Sequence, residues 1–221
     1  GAIEASKLSF DEVQLSLDGL ERAHDWLRGK GAFRDVLTAA KAVADAGLDL
    51  SIATVITSKN ATEFDELAQL VLELGAVRWH IDFPCGVGRA ATGNIVPDLS
   101  RARLLSYAFG SETHGSPAGH ICGAHLASIL PDGTLVKCDY YEDWAGGNVA
   151  DGLLHAWLSL PRLTVADLEC DCEFALECRG GCRYRAEVYN RRRTAPDPVR
   201  CFLYGVGTKP LEPTSEGRDD E

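Results

Sequence analysis

At 221 residues, 45% of them hydrophobic and 25% charged, the chain has a globular composition and enough length for about one to one and a half ordinary domains. A net charge of −11 argues against nucleic acid as the main partner, because phosphate binding needs clustered Lys and Arg. No apolar run approaches the roughly 20 residues of a membrane span, and no signal peptide opens the chain, so neither a membrane partner nor export is expected.

The chain contains no Met and opens "GAIEASKLSFDEVQLSLDG", which reads as the middle of a domain rather than a natural start. "DEVQLSLDG" (Asp11–Gly19) alternates Val13, Leu15 and Leu17 with Gln14, Ser16 and Asp18, the period-two pattern of a strand. Phe33, Val36, Leu37, Ala40, Val43 and Ala44 then recur at helical spacing, with Gly47 to end the helix. "LDLSIATVIT" is a β-branched strand. Asn60 and Glu63 have the spacing of a capping box ahead of a helix with Phe64, Leu67, Val71 and Leu74 on its apolar stripe, stopped by Gly75. "VRWHIDF" predicts a third strand, with Val77, Trp79, Ile81 and Phe83 on one row and Arg78, His80 and Asp82 on the other.

Strand–helix–strand–helix–strand with short connections implies parallel strands and crossover helices, an α/β fold. Parallel strands buried on both faces are apolar nearly throughout. Here the first and third strands each carry a polar row. Either these rows face a wet cavity, with Thr57, His80 and Asp82 lining it near the strand ends, or they are the solvated faces of edge strands and a satisfied buried His.

Residues 91–119 read as a connector with one helical piece (Leu99–Ala108). The hairpin "HLASILPDGTLVKC" turns at Pro131-Asp132-Gly133. A short helix follows around Leu153–Leu160, and "RYRAEVY" reads as a helix behind the cysteines. The basic run Arg191–Arg193 reads as a solvated helix end, and the polar tail over 206–221 as disordered.

Seven of the 8 cysteines lie in the second half: Cys122, Cys138, Cys170, Cys172, Cys178, Cys182 and Cys201. Disulfide frameworks belong to small secreted domains that cannot build a core, and this chain has a core. Zinc and iron–sulfur clusters both want thiolates on tight turns, and spacing alone does not separate them. Cys85 stands apart, as a buried thiol or as a substrate contact or radical relay.

The order of the seven resembles C-x9-15-G-x4-C…C-x2-C-x5-C-x3-C…C, the signature of the SPASM domain, the auxiliary iron–sulfur extension of radical SAM enzymes. Ten residues separate Cys122 from Gly133 and four more separate that glycine from Cys138. "PDGTLVKC", "GNVADGLLHAW" and "CRGGCRYRA" look like that domain's hairpin, helix and last knuckle. "VQLSLDG…HDWLRGKGAF", "TVITSKN" and "HIDFPCGVGRA" look like the fourth, fifth and sixth strands of the radical SAM barrel with their exits. The resemblance covers about residues 10–204.

It implies an α/β fold: the second half of a (β/α)6 partial TIM-type barrel over 1–90, the connector over 91–119, and a small α+β SPASM domain over 120–205. It also implies two auxiliary clusters of [4Fe–4S] type. The first would take Cys122, Cys138 and Cys182, and the second Cys170, Cys172, Cys178 and Cys201. Two departures stand out: C-x-C replaces C-x2-C at Cys170, and Ala127 and Ser128 occupy the place of a frequent fourth ligand of the first cluster, leaving an open iron, a water or His125. Ser16, Asp18 and Arg28 resemble the region that meets the ribose and carboxylate of S-adenosylmethionine. The C-x3-C-x2-C motif that binds the third, S-adenosylmethionine-cleaving [4Fe–4S] cluster of an intact parent is absent, so this chain alone is expected not to cleave S-adenosylmethionine. No catalytic residue is readable beyond Asp82 and Asp139, which could be acid/base groups or ordinary surface aspartates.

The implied activity is radical modification of a peptide or protein, with a ferredoxin or flavodoxin as electron donor and a reducing cytoplasm as its setting. Modification of a tetrapyrrole or haem side chain is the enzymatic alternative, and a non-catalytic zinc or iron–sulfur module the alternative of another class.

Overall fold

A computed structural model describes residues 11–85, 107–109, 119–122 and 125–207. It divides into two units, Gly1–Ser111 and Glu112–Glu221. Among the described residues no helix is long and apolar enough to cross a membrane.

In the first unit three strands, β1 (Glu12–Ser16), β2 (Asp49–Val55) and β3 (Arg78–Asp82), form a parallel sheet in the order β1-β2-β3. Val13 lies beside Leu50, and Ile52 beside Trp79. Helices α1 (Glu21–Arg28) and α2 (Ala32–Asp45) connect the first pair of strands, and α3 (Phe64–Glu73) the second. Ala40 and Val43 of α2 and Phe64, Leu67 and Val71 of α3 are buried with Leu50, Ile52 and Trp79 of the sheet. Phe64 stacks on Trp79 at 5.7 Å between ring centroids. Gly47 and Gly75 end α2 and α3 in the left-handed region, at φ 69 and 73°, as their place after each apolar stripe predicts.

Several local expectations are corrected. The exit of β1 contains a helix that the periodicity did not mark, α1, and the Asp25 carboxylate on it accepts the Gly31 and Phe33 N–H groups at 2.7 and 2.8 Å, capping α2. Asn60 and Glu63 form no capping box. A 3-10 turn (Ala61–Glu63) precedes α3, and neither side chain caps it. Glu63 instead accepts the Leu20 N–H at 2.7 Å, while Asn60 accepts from Thr57 N–H and donates to the carbonyls of Asp18 (2.6 Å) and Val55 (2.9 Å). The side chains with the strongest cap signal thus tie the loop after β1 to the loop after β2. Val77 is 42% exposed and lies outside the core row. Arg78 pairs with Glu12 across the sheet at 2.9 Å.

The carbonyl of Phe109 accepts the Trp79 N–H at 2.8 Å. Most of the expected Leu99–Ala108 helix, and the tail beyond residue 207, lie outside the described residues.

The second unit is built on the antiparallel sheet β4 (Ser128–Ile129), β5 (Thr134–Val136) and β6 (Ala145–Asn148). Its first turn is the one predicted: Gly133 sits at φ 86°, and Asp132 accepts the Thr134 N–H at 2.9 Å. Gly146 lets α4 (Leu153–Ser159) lie flat on β6, because a Cβ there would run into the Ala156 carbonyl. Short helices α5 (Ala175–Cys178), α6 (Arg183–Asn190) and α7 (Pro198–Leu203) follow. One apolar cluster joins Ile121, Tyr141 and Trp144, with Cys138, Leu163, Leu168 and Tyr184 packed on it, and Leu135, Val136, Leu160, Val199 and Leu203 are buried in the same unit. Arg191–Arg193 is not a loose charged end. Arg192 pairs with Glu169, and Arg193 pairs with Glu187 and Asp143 while lying over the rings of Tyr141 (4.7 Å) and Trp144 (5.1 Å).

Asn60 is 1% exposed, so Asn60→Ala strands the Thr57 N–H and two carbonyls where water does not reach. We predict a loss of about 2–3 kcal/mol in urea unfolding at unchanged m value; a loss below about 0.5 kcal/mol would mean that other contacts hold these loops.

Candidate metal centre

All 8 cysteines are free of disulfides. Cys122 precedes the hairpin and Cys138 follows β5. Cys170 and Cys172 lie in the segment before α5, Cys178 ends α5, Cys182 is the residue before α6, and Cys201 lies in α7.

The backbone between Cys178 and Cys182 is bent hard. Arg179, Gly180 and Gly181 all sit at positive φ (51, 79 and 72°), and the N–H groups of Gly180 and Gly181 turn back onto the Cys178 sulfur (3.3 Å) and carbonyl (3.0 Å). Space as well as conformation demands glycine: a Cβ at 181 would lie 2.5 Å from Asp197 Oδ2.

Asp197 is the centre of this arrangement and is fully buried. Its Oδ2 accepts from the Cys182 N–H (2.8 Å) and from Arg185 Nε (3.0 Å) and Nη2 (2.8 Å); its Oδ1 accepts from Val199 and Arg200 N–H, capping α7. Arg183, 2% exposed, spends its guanidinium on backbone carbonyls: Nη1 on Arg193 (2.7 Å) and Ala195 (2.8 Å), Nη2 on Gly180. The sequence reading passed over both residues. A local signal for Asp197 was available, since Asp followed by Pro at the first helical position is a helix start.

Electrostatics sort the thiols into two neighbourhoods. Burial pushes the Cys122 thiol up and Cys182 adds to it, while Lys137 and the Arg183 backbone N–H pull down and Cys138 adds a further push. Burial likewise raises Cys138, which feels the Tyr140 N–H, Lys137, Cys182 and Asp139. Cys170 is raised by burial, then by Cys172 and Cys178. Cys201 is pushed up to about 11 by burial, then by Asp197 and by Cys170, Cys178 and Cys172. Cys122, Cys138 and Cys182 thus sense one another, and so do Cys170, Cys172, Cys178 and Cys201.

Among the described residues no three His, Cys, Asp or Glu side chains converge on a position for a single metal ion. A four-iron cluster takes one thiolate per iron around a larger group. The seven thiols of the second unit, part-buried and unbridged, fit such a group chemically.

The other expected site residues are dispersed. Asp18 is 1% exposed, and each of its polar atoms is occupied: its N–H donates to His24 Nδ1 (3.0 Å), its carbonyl accepts from Asn60, Oδ1 accepts the Val55 N–H (2.7 Å), and Oδ2 accepts Arg28 Nε (2.5 Å). Burial lowers the pKa of His24, in keeping with its neutral acceptor nitrogen. Arg28 keeps its side chain 41% exposed, and Ser16, at the end of β1, is half-buried. Thr57 is buried in the turn that Asn60 holds, His80 is half-buried, and Cys85 is buried. Asp82 and Asp139 are exposed, Asp82 accepting its neighbour's Phe83 N–H at 2.7 Å. His125 is exposed, and half-buried Ala127 and Ser128 bring no thiol.

A thiol whose pKa is higher in the folded state stabilises the fold fully below its unfolded value and loses that contribution as pH rises. With Cys201 near 11 against an ordinary 9.0, and Cys122, Cys138 and Cys170 also raised, the metal-free reduced chain is predicted to unfold at lower urea at pH 10 than at pH 8. An unchanged midpoint would place these thiols in water.

No family model matches the chain. Among curated proteins, it is 33% identical over 101 residues to the sporulation killing factor maturation protein SkfB of Bacillus subtilis (45% of this chain, 25% of that protein). It is 38% identical over 92 residues to the AdoMet-dependent heme synthase of Nitratidesulfovibrio vulgaris (39% of this chain, 25% of that protein). It is 26% identical over 230 residues to the mycofactocin maturase MftC of Mycobacterium tuberculosis (89% of this chain, 59% of that protein). The chain therefore spans between a quarter and three-fifths of these relatives' length. Among solved structures, anSMEcpe with bound AdoMet superposes with a TM-score of 0.63 at 16% identity, over 88% of this chain and 65% of that one, a likeness of fold. The sequence relatives and the likeness of fold point to a radical SAM enzyme of SPASM type, of which this chain matches a part.

Proposed function

We propose that this chain is the part of a radical SAM/SPASM enzyme that carries two auxiliary iron–sulfur clusters and the second half of the barrel, in an enzyme that modifies a peptide or protein. The reading is supported by the electrostatic influence of Cys138 and Cys182 on Cys122, and of Cys170, Cys172 and Cys178 on Cys201, which follows the order expected of that domain. Cys122, Cys138 and Cys182 would hold one cluster, and Cys170, Cys172, Cys178 and Cys201 the other. Bound there, such groups supply one-electron storage at potentials set by their surroundings.

The chain's own residues do the rest. Gly180 and Gly181 turn the backbone so that Cys178 and Cys182 belong to different groups, and Asp197 fixes Cys182 relative to α7 and its Cys201. In the first unit Asp18 fixes the Nε side of Arg28, which leaves the outer guanidinium nitrogens to meet a carboxylate such as that of S-adenosylmethionine, with Ser16 on the preceding strand. Strand C-terminal ends are where parallel barrels build sites.

A peptide or protein substrate is supported by two relatives named as maturation proteins and by a neighbouring structure of anSMEcpe solved with a bound peptide, which superposes with a TM-score of 0.57. A tetrapyrrole substrate is the second reading, favoured by the 38% identity to a heme synthase. A reducing cytoplasm and a ferredoxin- or flavodoxin-like donor suit unbridged thiols and one-electron chemistry.

Iron, acid-labile sulfide and zinc per chain, measured after anaerobic reconstitution, test this reading. About eight irons with matching sulfide are expected; stoichiometric zinc with little iron would make the cysteines a structural knuckle and end the proposal.

A further inference from the structure

The second unit carries a pocket that no cysteine lines. Its volume is about 290 Å³, below the roughly 300–1,000 Å³ of sites for drug-sized ligands, which leaves room for one side chain or one peptide unit. One wall is aromatic: Tyr140 and Tyr184 stack at 4.9 Å between ring centroids, and Tyr141 meets Tyr184 edge-on at 5.4 Å. The formal charges on the lining cancel. Asp143 and Glu187 are matched by Arg191 and Arg193, and Arg193 donates Nε to Glu187 Oε2 at 2.9 Å and Nη2 to Asp143. An ion entering here finds no net charge to hold it.

Two polar groups on this lining are left over. The Tyr141 hydroxyl is shut off from water, in a residue 3% exposed, and makes no hydrogen bond of normal geometry. Burial, and then the neighbouring Glu187 carboxylate, push the phenol pKa up, yet the two groups are not joined by such a bond. With Oε2 given to Arg193, Glu187 Oε1 accepts none either among the described residues. Buried polar groups are nearly always paired, so an open donor beside an open acceptor calls for a partner. A phenol donates at neutral pH, and a carboxylate only accepts. The group that answers both must accept and donate, lie flat on the tyrosine wall and carry no charge. An amide meets each of these conditions.

We propose that this pocket binds an amide of a peptide, whose carbonyl oxygen accepts from the Tyr141 hydroxyl, whose N–H donates to Glu187 Oε1, and whose plane lies against Tyr140 and Tyr184. The site does not depend on what the thiols hold; it rests on the peptide reading above only for the origin of the amide. A main-chain amide and the carboxamide of Asn or Gln share this chemistry.

The test is saturation-transfer NMR on the anaerobically reconstituted 221-residue chain, with four probes built on one phenylpropanoyl frame. The primary amide stands for a side-chain carboxamide and the N-methyl amide for a main-chain one; the methyl ester lacks the N–H, and the free acid stands for a tetrapyrrole propionate. An amide is expected to bind in the millimolar range, about tenfold tighter than the ester and the acid, and the tighter of the two amides identifies the source. Tyr141→Phe is expected to abolish that preference while its urea midpoint stays level or rises, because the change removes an unpaired hydroxyl. Ester binding equal to that of the amides, or no binding by either amide, overturns the proposal. So does a lower midpoint in Tyr141→Phe, which would mean that the hydroxyl is paired within the chain. Tightest binding by the acid overturns it as well and favours the tetrapyrrole reading. Iron content, measured on the same samples, reports separately on the clusters.

Discussion

One buried carboxylate organises the cysteine-rich unit. Asp197 receives five hydrogen bonds through two oxygens, from the Cys182 N–H, from two Arg185 nitrogens and from the start of α7. Its partner Arg185 is 4% exposed at the side chain. A buried ion pair adds little net stability, because desolvation offsets attraction, but removing one partner leaves a stranded charge at a cost of about 3–5 kcal/mol. What the pair supplies is position. Cys182, assigned to one group of thiols, and α7 with Cys201, assigned to the other, both hang from the same carboxylate. Gly181 exists in its present form because Asp197 occupies the space a Cβ would need.

Beside the apolar cluster around Ile121, Tyr141 and Trp144 the unit carries further polar fixtures. Arg193 is another, clamped by Glu187 and Asp143 and laid across two aromatic rings. The first unit solves a similar problem at its strand ends. Asp18, Asn60 and Glu63 join the loops after β1 and β2 through short bonds, and Asp18 passes that rigidity on to Arg28. Both units therefore present their candidate functional groups from places where the backbone is held by side-chain carboxylates and amides.

This pattern explains what the sequence reveals. Elements set by periodicity were legible: the three parallel strands, α2 and α3 with their glycine stops, and the Asp132-Gly133 turn. The cysteine order was legible because it is itself a spacing. What escaped was every contact in which a side chain serves a distant segment. Asn60 and Glu63 have a local cap pattern, yet their bonds run 42 and 43 residues away, to Asp18 and Leu20. Asp25 sits within one helix and caps the next. Arg193 looks like part of a solvated run because its partner Asp143 lies 50 residues earlier. Local pattern carries no information on which distant group a polar side chain will meet.

The central claim is that one carboxylate sets both groups of thiols. Anaerobic iron loading of Asp197→Asn tests it, at a temperature where circular dichroism shows the helices intact. Iron is predicted to fall from both groups together, with both paramagnetic signals weakened, because Cys182 and α7 lose their shared anchor. Wild-type iron content, or the loss of one signal with the other at full strength, would contradict it.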